Sequence, residues 1–453
     1  DAERAGRGTD VILHLREDAR EFLQGWRLKE IVHRYSDFID HPVVLGEETL
    51  NSRQAIWLRS KTEIKPEEYN AFYKQLTRDD QDPLKTIHIA AEGAMEFRAL
   101  LFIPSHRPWD WLMGPQKKSG IDLFVRRVLI MHECEELAPT YLRFIRGVVD
   151  SADLPLNVSR ETLQHNPLMG KIKANVVNRV LKTLEEMKES EYETYLKFYD
   201  QFGDNLKEGV GQDWNNRQRI ADLLLFESTK TEAGKFTTLA KYVDAMAADQ
   251  KEIHYLIGET RQQLENSPYV ESFRAKGEEV LLLTDPVDEY LVSALDRYKE
   301  KSLKAADRAE AGESVDAATV EKFKPVIEAL KAKLAGDVED IRLSARLKTS
   351  AACLVAKEGQ MGAHMERLMA RMGRLDERGA EKRILELNPS HPAVIALLNA
   401  DDAKRETWGR ILLDEAVIAE GSRLKDPAAF ARRVNDLIAA IAAPASAAPP
   451  SPA

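Results

Sequence analysis

The pattern of apolar and polar residues predicts that strands and helices alternate along most of the chain. Val11 to Leu15 is an apolar run typical of a strand, and residues 21–38 carry apolar side chains near helical spacing. A strand with so little sheet around it suggests the end of a domain that lies mostly upstream, and the chain also opens without an initiator methionine. We therefore interpret residues 1–40 as the C-terminal remnant of another domain and the polar residues 41–64 as a linker.

Residues 65–300 are predicted to form a middle domain. A helix is expected to begin at Pro66, because proline is favoured in the first helical turn. The apolar runs on both sides of Glu92 and Gly93 predict a β-hairpin. Further along, the pattern predicts a strand at 121–131 and helices at 139–149 and 159–188.

A strand–helix–strand unit is predicted at 253–284. Its strands, 253–258 and 279–284, flank a helix at 261–276. Val280 to Leu283 is apolar throughout, as is usual for a parallel strand that is covered on both faces. The expected fold class is therefore α/β (α+β) multidomain, with an α/β middle domain.

Residues 321–442 are predicted to form a smaller α+β C-terminal domain that ends in a helical dimerisation bundle. The charged residues 301–320 are interpreted as a flexible linker, and the Pro/Ala/Ser-rich tail 443–453 as disordered. The predicted strands of this domain are 341–347, 351–356 and 383–387. Its predicted helices are 361–373, 392–399, 406–420 and 426–441.

The last two predicted helices suggest a homodimer. One pair of such helices buries little apolar surface, whereas two pairs form a four-helix bundle. The alternative is that the helices pack onto their own domain. The side chains expected at the dimer interface are Leu412, Ala416, Phe430, Val434, Leu437 and Ile438.

The composition narrows the classes of function. The chain has 453 residues and a formal net charge of -10, and 43% of its residues are hydrophobic, which is enough to fill ordinary cores. Two cysteines argue against a disulfide-built secreted protein, so we expect a cytoplasmic location. The acidic balance disfavours nucleic acid as a partner, and no apolar run has the length that a membrane span needs.

Common catalytic motifs are missing from the sequence. It contains no P-loop and no Gly-x-Ser-x-Gly nucleophile elbow. His132 to Glu136 offers candidate metal ligands, but an isolated acidic cluster is more often a solvated helix start, and we predict no metal. A stand-alone α/β enzyme and a passive structural dimer are the alternative functions.

One stretch of the middle domain suggests contact with a phosphate. Ser159 can cap a helix, and Arg160 and Gln164 lie four residues apart on one face of it. The guanidinium of Arg160 would lie at the positive end of the helix dipole, where an anionic partner such as a phosphate is favourable. Spacing alone favours instead an ion pair with a neighbouring acid: Asp150, Asp153 or Glu161.

Two apolar stretches are candidates for binding other proteins. The first is a predicted loop that contains Trp109, Trp111, Leu112 and Met113. From the residues alone, it is equally plausible that these tryptophans fold back onto the sheet.

The second stretch is a predicted helix with Met361, Met365, Leu368 and Met369 on one face. Methionine is flexible and polarizable, which suits a surface that must fit many sequences. A buried core stripe is the alternative.

The chain resembles the ninety-kilodalton heat-shock chaperone family in its bacterial form. The string DSADLPLNVSRETLQ at 150–164 carries the resemblance most clearly. Three further strings agree with it: EFRALLFIP at 96–104, EVLLLTDPVDEY at 279–290 and KRILELNPSHP at 382–392. The resemblance implies a homodimeric stress-response chaperone that folds and remodels unfolded client proteins, works with other chaperones, and binds and hydrolyses ATP with magnesium.

The resemblance also implies roles for single residues. Arg160, with Gln164 beside it, would contact the γ-phosphate of ATP. The adenine-pocket motifs and general-base glutamate of the family have no counterpart here, so this chain alone is expected to be inactive as an ATPase. The client-binding surface would include the tryptophan loop and the methionine helix, together with Trp57 and Tyr290.

Overall fold

A computed structural model of the protein describes residues 6–93, 95–108, 111, 120–155, 166–308, 315–357, 359–371, 373 and 381–442. The chain divides into two compact units, residues 1–212 and residues 213–453. Both units combine helices with β-sheets, which confirms the α/β multidomain class. Within the described ranges, no helix is both long and apolar enough to cross a membrane.

The first unit contains a five-stranded mixed sheet and a short ribbon. Its strands are β1 (Val44–Leu45), β2 (Glu48–Thr49), β3 (Lys85–Ala91), β4 (Phe97–Ile103), β5 (Gly120–Val125), β6 (Val128–Met131) and β7 (Arg146–Ser151). β1 and β2 pair with each other, and the sheet has the order β3-β4-β7-β5-β6. β3 and β4 form the predicted antiparallel hairpin.

Among the described residues of this unit, four α-helices accompany the sheet. They are α1 (Gly25–Tyr35), α2 (Pro66–Thr77), α3 (Pro167–Ser190) and α4 (Tyr192–Gln212). α2 begins at the predicted proline, and the carboxylate of Glu68 accepts a hydrogen bond from the backbone N–H of Lys65 at 3.0 Å. α3 is capped by Asn166, whose side-chain oxygen accepts from the N–H of Leu168 at 2.9 Å.

The core of the first unit lies around the central strands β4 and β7, which pair antiparallel. Leu100, Phe102 and Val148 are fully buried and pack with Trp57 and Tyr73. The residues before α2 therefore supply part of the core. This corrects the interpretation of 41–64 as a linker.

Three other predictions for the first unit are wrong. The single strand predicted at 121–131 is two antiparallel strands, β5 and β6. Val11, Ile12 and Leu13 are largely exposed and are not paired in a strand. Residues 139–149 do not form the predicted helix, but a 3₁₀ turn at Thr140–Leu142 followed by β7. A short apolar run is ambiguous between a buried helix and a buried strand, and here pairing with β4 and β5 decides it.

The second unit contains a five-stranded sheet of order β11-β12-β9-β10-β8 and a three-stranded sheet of order β13-β15-β14. The strands are β8 (Glu227–Ser228), β9 (Glu252–Ile257), β10 (Val280–Leu283), β11 (Arg297–Tyr298), β12 (Lys301–Ala305), β13 (Asp340–Leu343), β14 (Ala352–Val355) and β15 (Ile384–Leu387). β9 and β10 pair in parallel, which confirms the two predicted strands, but the single helix predicted at 261–276 is two short helices separated by a 3₁₀ turn at Pro268–Val270.

The helices of the second unit are mostly short. They are α5 (Arg217–Leu223), α6 (Leu239–Asp244), α7 (Arg261–Glu265), α8 (Glu271–Lys276), α9 (Asp288–Ala294), α10 (Ala317–Leu334), α11 (Ala363–Arg371), α12 (Pro392–Ala396), α13 (Asp402–Ala419) and α14 (Pro427–Ala442). One apolar cluster joins α10 and α13 to the three-stranded sheet. A second cluster lies around β9 and β10.

The boundaries differ from the predicted domains in two places. The compact units divide at residues 212 and 213, inside the predicted middle domain. The predicted linker 301–320 is not a single irregular segment, because Lys301–Ala305 is a strand that pairs in parallel with β9. The last residues of the predicted linker belong to α10, which begins at Ala317.

Candidate functional site

The methionine-rich segment of the second unit forms the helix α11 (Ala363–Arg371). Side chains three and four residues apart share a face of a helix, so α11 has two distinct faces. Its apolar face carries Met365, Leu368 and Met369. Its charged face carries His364, Glu366, Arg367 and Arg371.

The apolar face of α11 is only half-buried. Met365, Leu368 and Met369 each keep part of their surface exposed. Met361, just before the helix, is 37% exposed. None of these side chains belongs to the two apolar clusters described for this unit. Among the described residues, the apolar face is therefore not a fully buried stripe like the apolar faces of α10 and α13.

α9 contributes an exposed aromatic side chain to the same region. Tyr290 is 43% exposed. The preceding residue, Glu289, is hydrogen-bonded to His364 of α11, with 2.9 Å between Oε1 and Nδ1. The structure thus brings the helix that carries Tyr290 together with the methionine-rich helix.

The tryptophan loop is described only at Trp111, in the first unit; Trp109, Leu112 and Met113 lie outside the described residues. The half-buried ring of Trp111 packs edge-on against Phe202, with 6.0 Å between ring centroids. The guanidinium of Arg143 lies over the same ring at 5.4 Å. Trp111 therefore folds back onto its own unit, in agreement with the alternative for this loop, but it packs on α4 and not on the sheet.

Trp57 lies in the core of the first unit with none of its surface exposed. Its indole N–H donates a hydrogen bond to Oδ2 of Asp150 at 3.0 Å. The ring also packs against Phe38 and Phe124. A client protein finds no surface of Trp57 to touch in this conformation, so the expectation of a direct client contact is corrected to a core role.

The two residues matched to ATP binding, Arg160 and Gln164, lie outside the described residues. Two of the acids considered as partners for Arg160 have contacts of their own. Asp150 accepts from Trp57, and Asp153 accepts from the backbone N–H of Glu96 at 2.8 Å. The contact of Arg160 with a nucleotide stays a prediction.

The acidic cluster at His132–Glu136 has structural partners. His132 pairs with Asp122 at 2.7 Å. Burial, reinforced by Glu136, raises the pKa of the Cys134 thiol to about 12.

The residues expected at a dimer interface divide into two groups. Leu412 and Ala416 of α13 are buried in the apolar cluster of their own unit. They therefore pack intramolecularly, which corrects that part of the prediction. The α14 residues remain accessible: Phe430, Val434 and Leu437 are half-buried, and Ile438 is 60% exposed.

Comparison with known proteins agrees with these observations. The family profile described as Hsp90 protein matches residues 44–448. The chain belongs to the Hsp90 family.

Several relatives of this Hsp90 chain carry the name chaperone protein HtpG. The relative from Geobacter metallireducens is 45% identical over 480 residues, which cover 97% of this chain and 73% of the relative. That from Paramagnetospirillum magneticum is 45% identical and covers 96% of this chain and 72% of the relative. The relative from Bdellovibrio bacteriovorus is 42% identical, and the match covers 96% of this chain and 72% of the relative. The family identifies the chain as a molecular chaperone.

The partners of the charged face could not be predicted from the sequence of this Hsp90 chain. Glu289, Arg383 and Glu420 all contact α11 residues, yet they are spread over more than a hundred residues of sequence. Residue spacing predicts which side chains are neighbours within one helix. These acids and bases lie on different elements, and only the tertiary fold brings them together. The charged residues at regular spacing within α11 were the only available signal.

Proposed function

We propose that this chain binds unfolded or partly folded client proteins through the apolar face of α11 and associates as a homodimer through α14. In the intact protein, we propose, both activities are coupled to ATP hydrolysis in the cytoplasm. The two-faced α11 supports this proposal most directly, because its apolar side chains keep exposed surface outside the described cores.

The chemistry of α11 suits a surface for many sequences. Met365 and Met369 have unbranched, polarizable side chains that can adapt to differently shaped partners. Leu368 adds apolar surface between them, and Tyr290 on α9 adds an aromatic ring with a polar tip. An exposed stretch of an unfolded client could bury part of its apolar surface here without a fixed sequence requirement.

Client binding can be tested by the suppression of aggregation. The variant Met365→Ser with Leu368→Ser should suppress the thermal aggregation of a model client less well than the wild type, measured by light scattering. A passive structural dimer predicts equal suppression by both proteins. The matched control is Val320→Ser with Ile395→Ser, which removes apolar side chains of 44% and 41% exposure on other helices.

The homodimer proposal rests on the accessible apolar residues of α14. Ile438→Glu should raise the dimer dissociation constant by about tenfold or more, because a carboxylate is costly to bury at an interface. Sedimentation or light scattering over a concentration series measures this. Arg432→Gln is the control, because it makes the same change in charge on an exposed position away from Ile438. A wild-type chain that is monomeric at micromolar concentration contradicts the proposal.

The ATP-dependent part of the proposal concerns Arg160 and Gln164, which we expect from the family resemblance to contact the γ-phosphate and which lie outside the described residues. When bound, a magnesium–ATP complex would supply the energy of its hydrolysis. We expect the purified chain of 453 residues to show no ATPase activity, because it carries no counterpart of the adenine-pocket motifs of the family. ATP hydrolysis that Arg160→Ala abolishes would contradict that expectation.

A further inference from the structure

The charged face of α11 is tied to several parts of its own unit. His364 pairs with Glu289 of α9, and Arg371 pairs with Glu259 at 2.6 Å between Nη2 and Oε1. The Nη1 of Arg367 donates to Oγ of Ser422 at 3.2 Å. These contacts reach α9, the loop before α7 and the segment after α13.

Arg383 is the centre of this arrangement. It lies immediately before β15 and is 9% exposed. Its guanidinium binds Glu366 of α11 on one side and Glu420 on the other, with 2.5 Å between Nη1 and Oε1 of Glu420. One planar guanidinium thus joins α11, β15 and the end of α13, which a lysine ammonium could not do with the same geometry.

The charged face of α11 takes part in docking this amphipathic helix. Such a helix normally packs its apolar face on the core and leaves its charged face in water. Here the charged side chains make the tertiary contacts, and Ala363, on the same face, is buried. On the apolar face, Met365, Leu368 and Met369 each keep part of their surface exposed.

We propose that the His364–Glu289 hydrogen bond and the Glu366–Arg383–Glu420 ion pairs are positioning contacts for client binding: they hold α11 so that the side chains of its apolar face keep exposed surface. This inference rests on the proposed client-binding role of α11. A helix that is already ordered and oriented loses less conformational entropy on binding than one that must first dock. A variant that breaks these contacts should therefore bind clients more weakly, even though every residue proposed to touch the client is unchanged.

The His364–Glu289 pair gives the cleanest test, because it can be broken and restored. Glu289→Lys removes the carboxylate that binds His364 and places a cation there, whereas Glu289→Lys with His364→Glu supplies a carboxylate and a cation that can bind each other. Hydrogen exchange of the α11 amides, measured without client, reports the docking of the helix. A titration with a fluorescently labelled, permanently unfolded protein reports client affinity.

The single variant should exchange its α11 amides faster and bind the unfolded protein about fivefold more weakly, at the low end of ordinary coupling between sites. The double variant should restore both quantities to within about twofold of the wild type. Glu406→Lys is the control: it reverses an ion pair with Lys333, 3.0 Å apart, that involves no residue of α11. It should leave the affinity unchanged.

The outcomes separate this inference from the proposed function. Unchanged or tighter client binding by Glu289→Lys overturns the positioning role. If α11 exchanges faster in that variant but Met365→Ser with Leu368→Ser binds the client normally, the docking contacts are real and the client-binding role of α11 fails. Arg383→Lys is a second variant, milder than removal of the buried cation, and should give an intermediate loss of affinity.

Discussion

The hydrogen bond from Trp57 to Asp150 shows how a single polar contact shapes the core of the first unit. Asp150 is buried, and its other carboxylate oxygen accepts from the backbone N–H of Arg127 at 3.3 Å. A buried carboxylate needs such donors, because without them its desolvation is not compensated.

Trp57→Phe should therefore destabilise the chain by about 1–3 kcal/mol, because it removes a donor to a buried acceptor as well as part of the packing. Chemical denaturation followed by circular dichroism measures the change. Trp214→Phe is the control, since Trp214 is 73% exposed. Equal stability of Trp57→Phe and the wild type would show that the hydrogen bond makes no net contribution.

Gly147 is required by a close approach of two strands. Its φ is +148°, and a Cβ added there would lie 2.2 Å from the carbonyl oxygen of Leu100 on β4. Gly147→Ala should therefore disrupt the β4–β7 pairing and lower the thermal midpoint of unfolding by several degrees or more. Gly170→Ala on α3, where a Cβ meets no atom within 4 Å, is the matched control.

At the scale of elements, a buried carboxylate links the strands of the three-stranded sheet. Glu386 of β15 binds Arg342 at 2.6 Å, Arg346 at 2.8 Å and the hydroxyl of Ser344 at 2.8 Å. Burial acts to raise the pKa of Glu386, but the two arginines and the serine outweigh it and hold the pKa below its usual value. The charged carboxylate is thus favoured in the folded chain.

Glu386→Gln should destabilise the second unit by about 3 kcal/mol at pH 7, because it leaves buried arginine charge without its partner. The depressed pKa also gives a pH dependence. The wild type keeps the full contribution of Glu386 above its unfolded pKa of about 4.3 and loses it as pH falls through the lower folded value. The variant should therefore lose less stability in acid than the wild type, measured by denaturation at pH 7 and below pH 4. An equal acid response would contradict this.

The sequence predicted elements best where local pattern and tertiary environment agree. Val280–Leu283 is apolar throughout and forms a fully buried parallel strand. The whole of α10 was missed by the sequence analysis, because charged residues and alanines obscure its apolar period. Its buried residues nevertheless recur at helical spacing: Phe323, Val326, Leu330 and Leu334. The partners of α11 could not be predicted, because their approach depends on the packing of distant elements.

At the scale of the whole molecule, the family relationship fixes the class of function, and the structure indicates which surfaces can carry it. α11 and Tyr290 offer apolar surface in the second unit, and α14 offers the surface proposed for dimerisation. Three other candidate residues are instead buried in the cores of their own units: Trp57, Leu412 and Ala416. The central claim is therefore that clients bind the apolar face of α11.

The most direct measurement is the affinity of the chain for a labelled, permanently unfolded protein, obtained from fluorescence anisotropy. Met365→Ser with Leu368→Ser should weaken binding by about tenfold, since the partial burial of two apolar side chains is worth about 1.4 kcal/mol or more. The variant should keep the secondary structure and the oligomeric state of the wild type. An affinity within about twofold of the wild type, in a variant that is folded, would contradict the account.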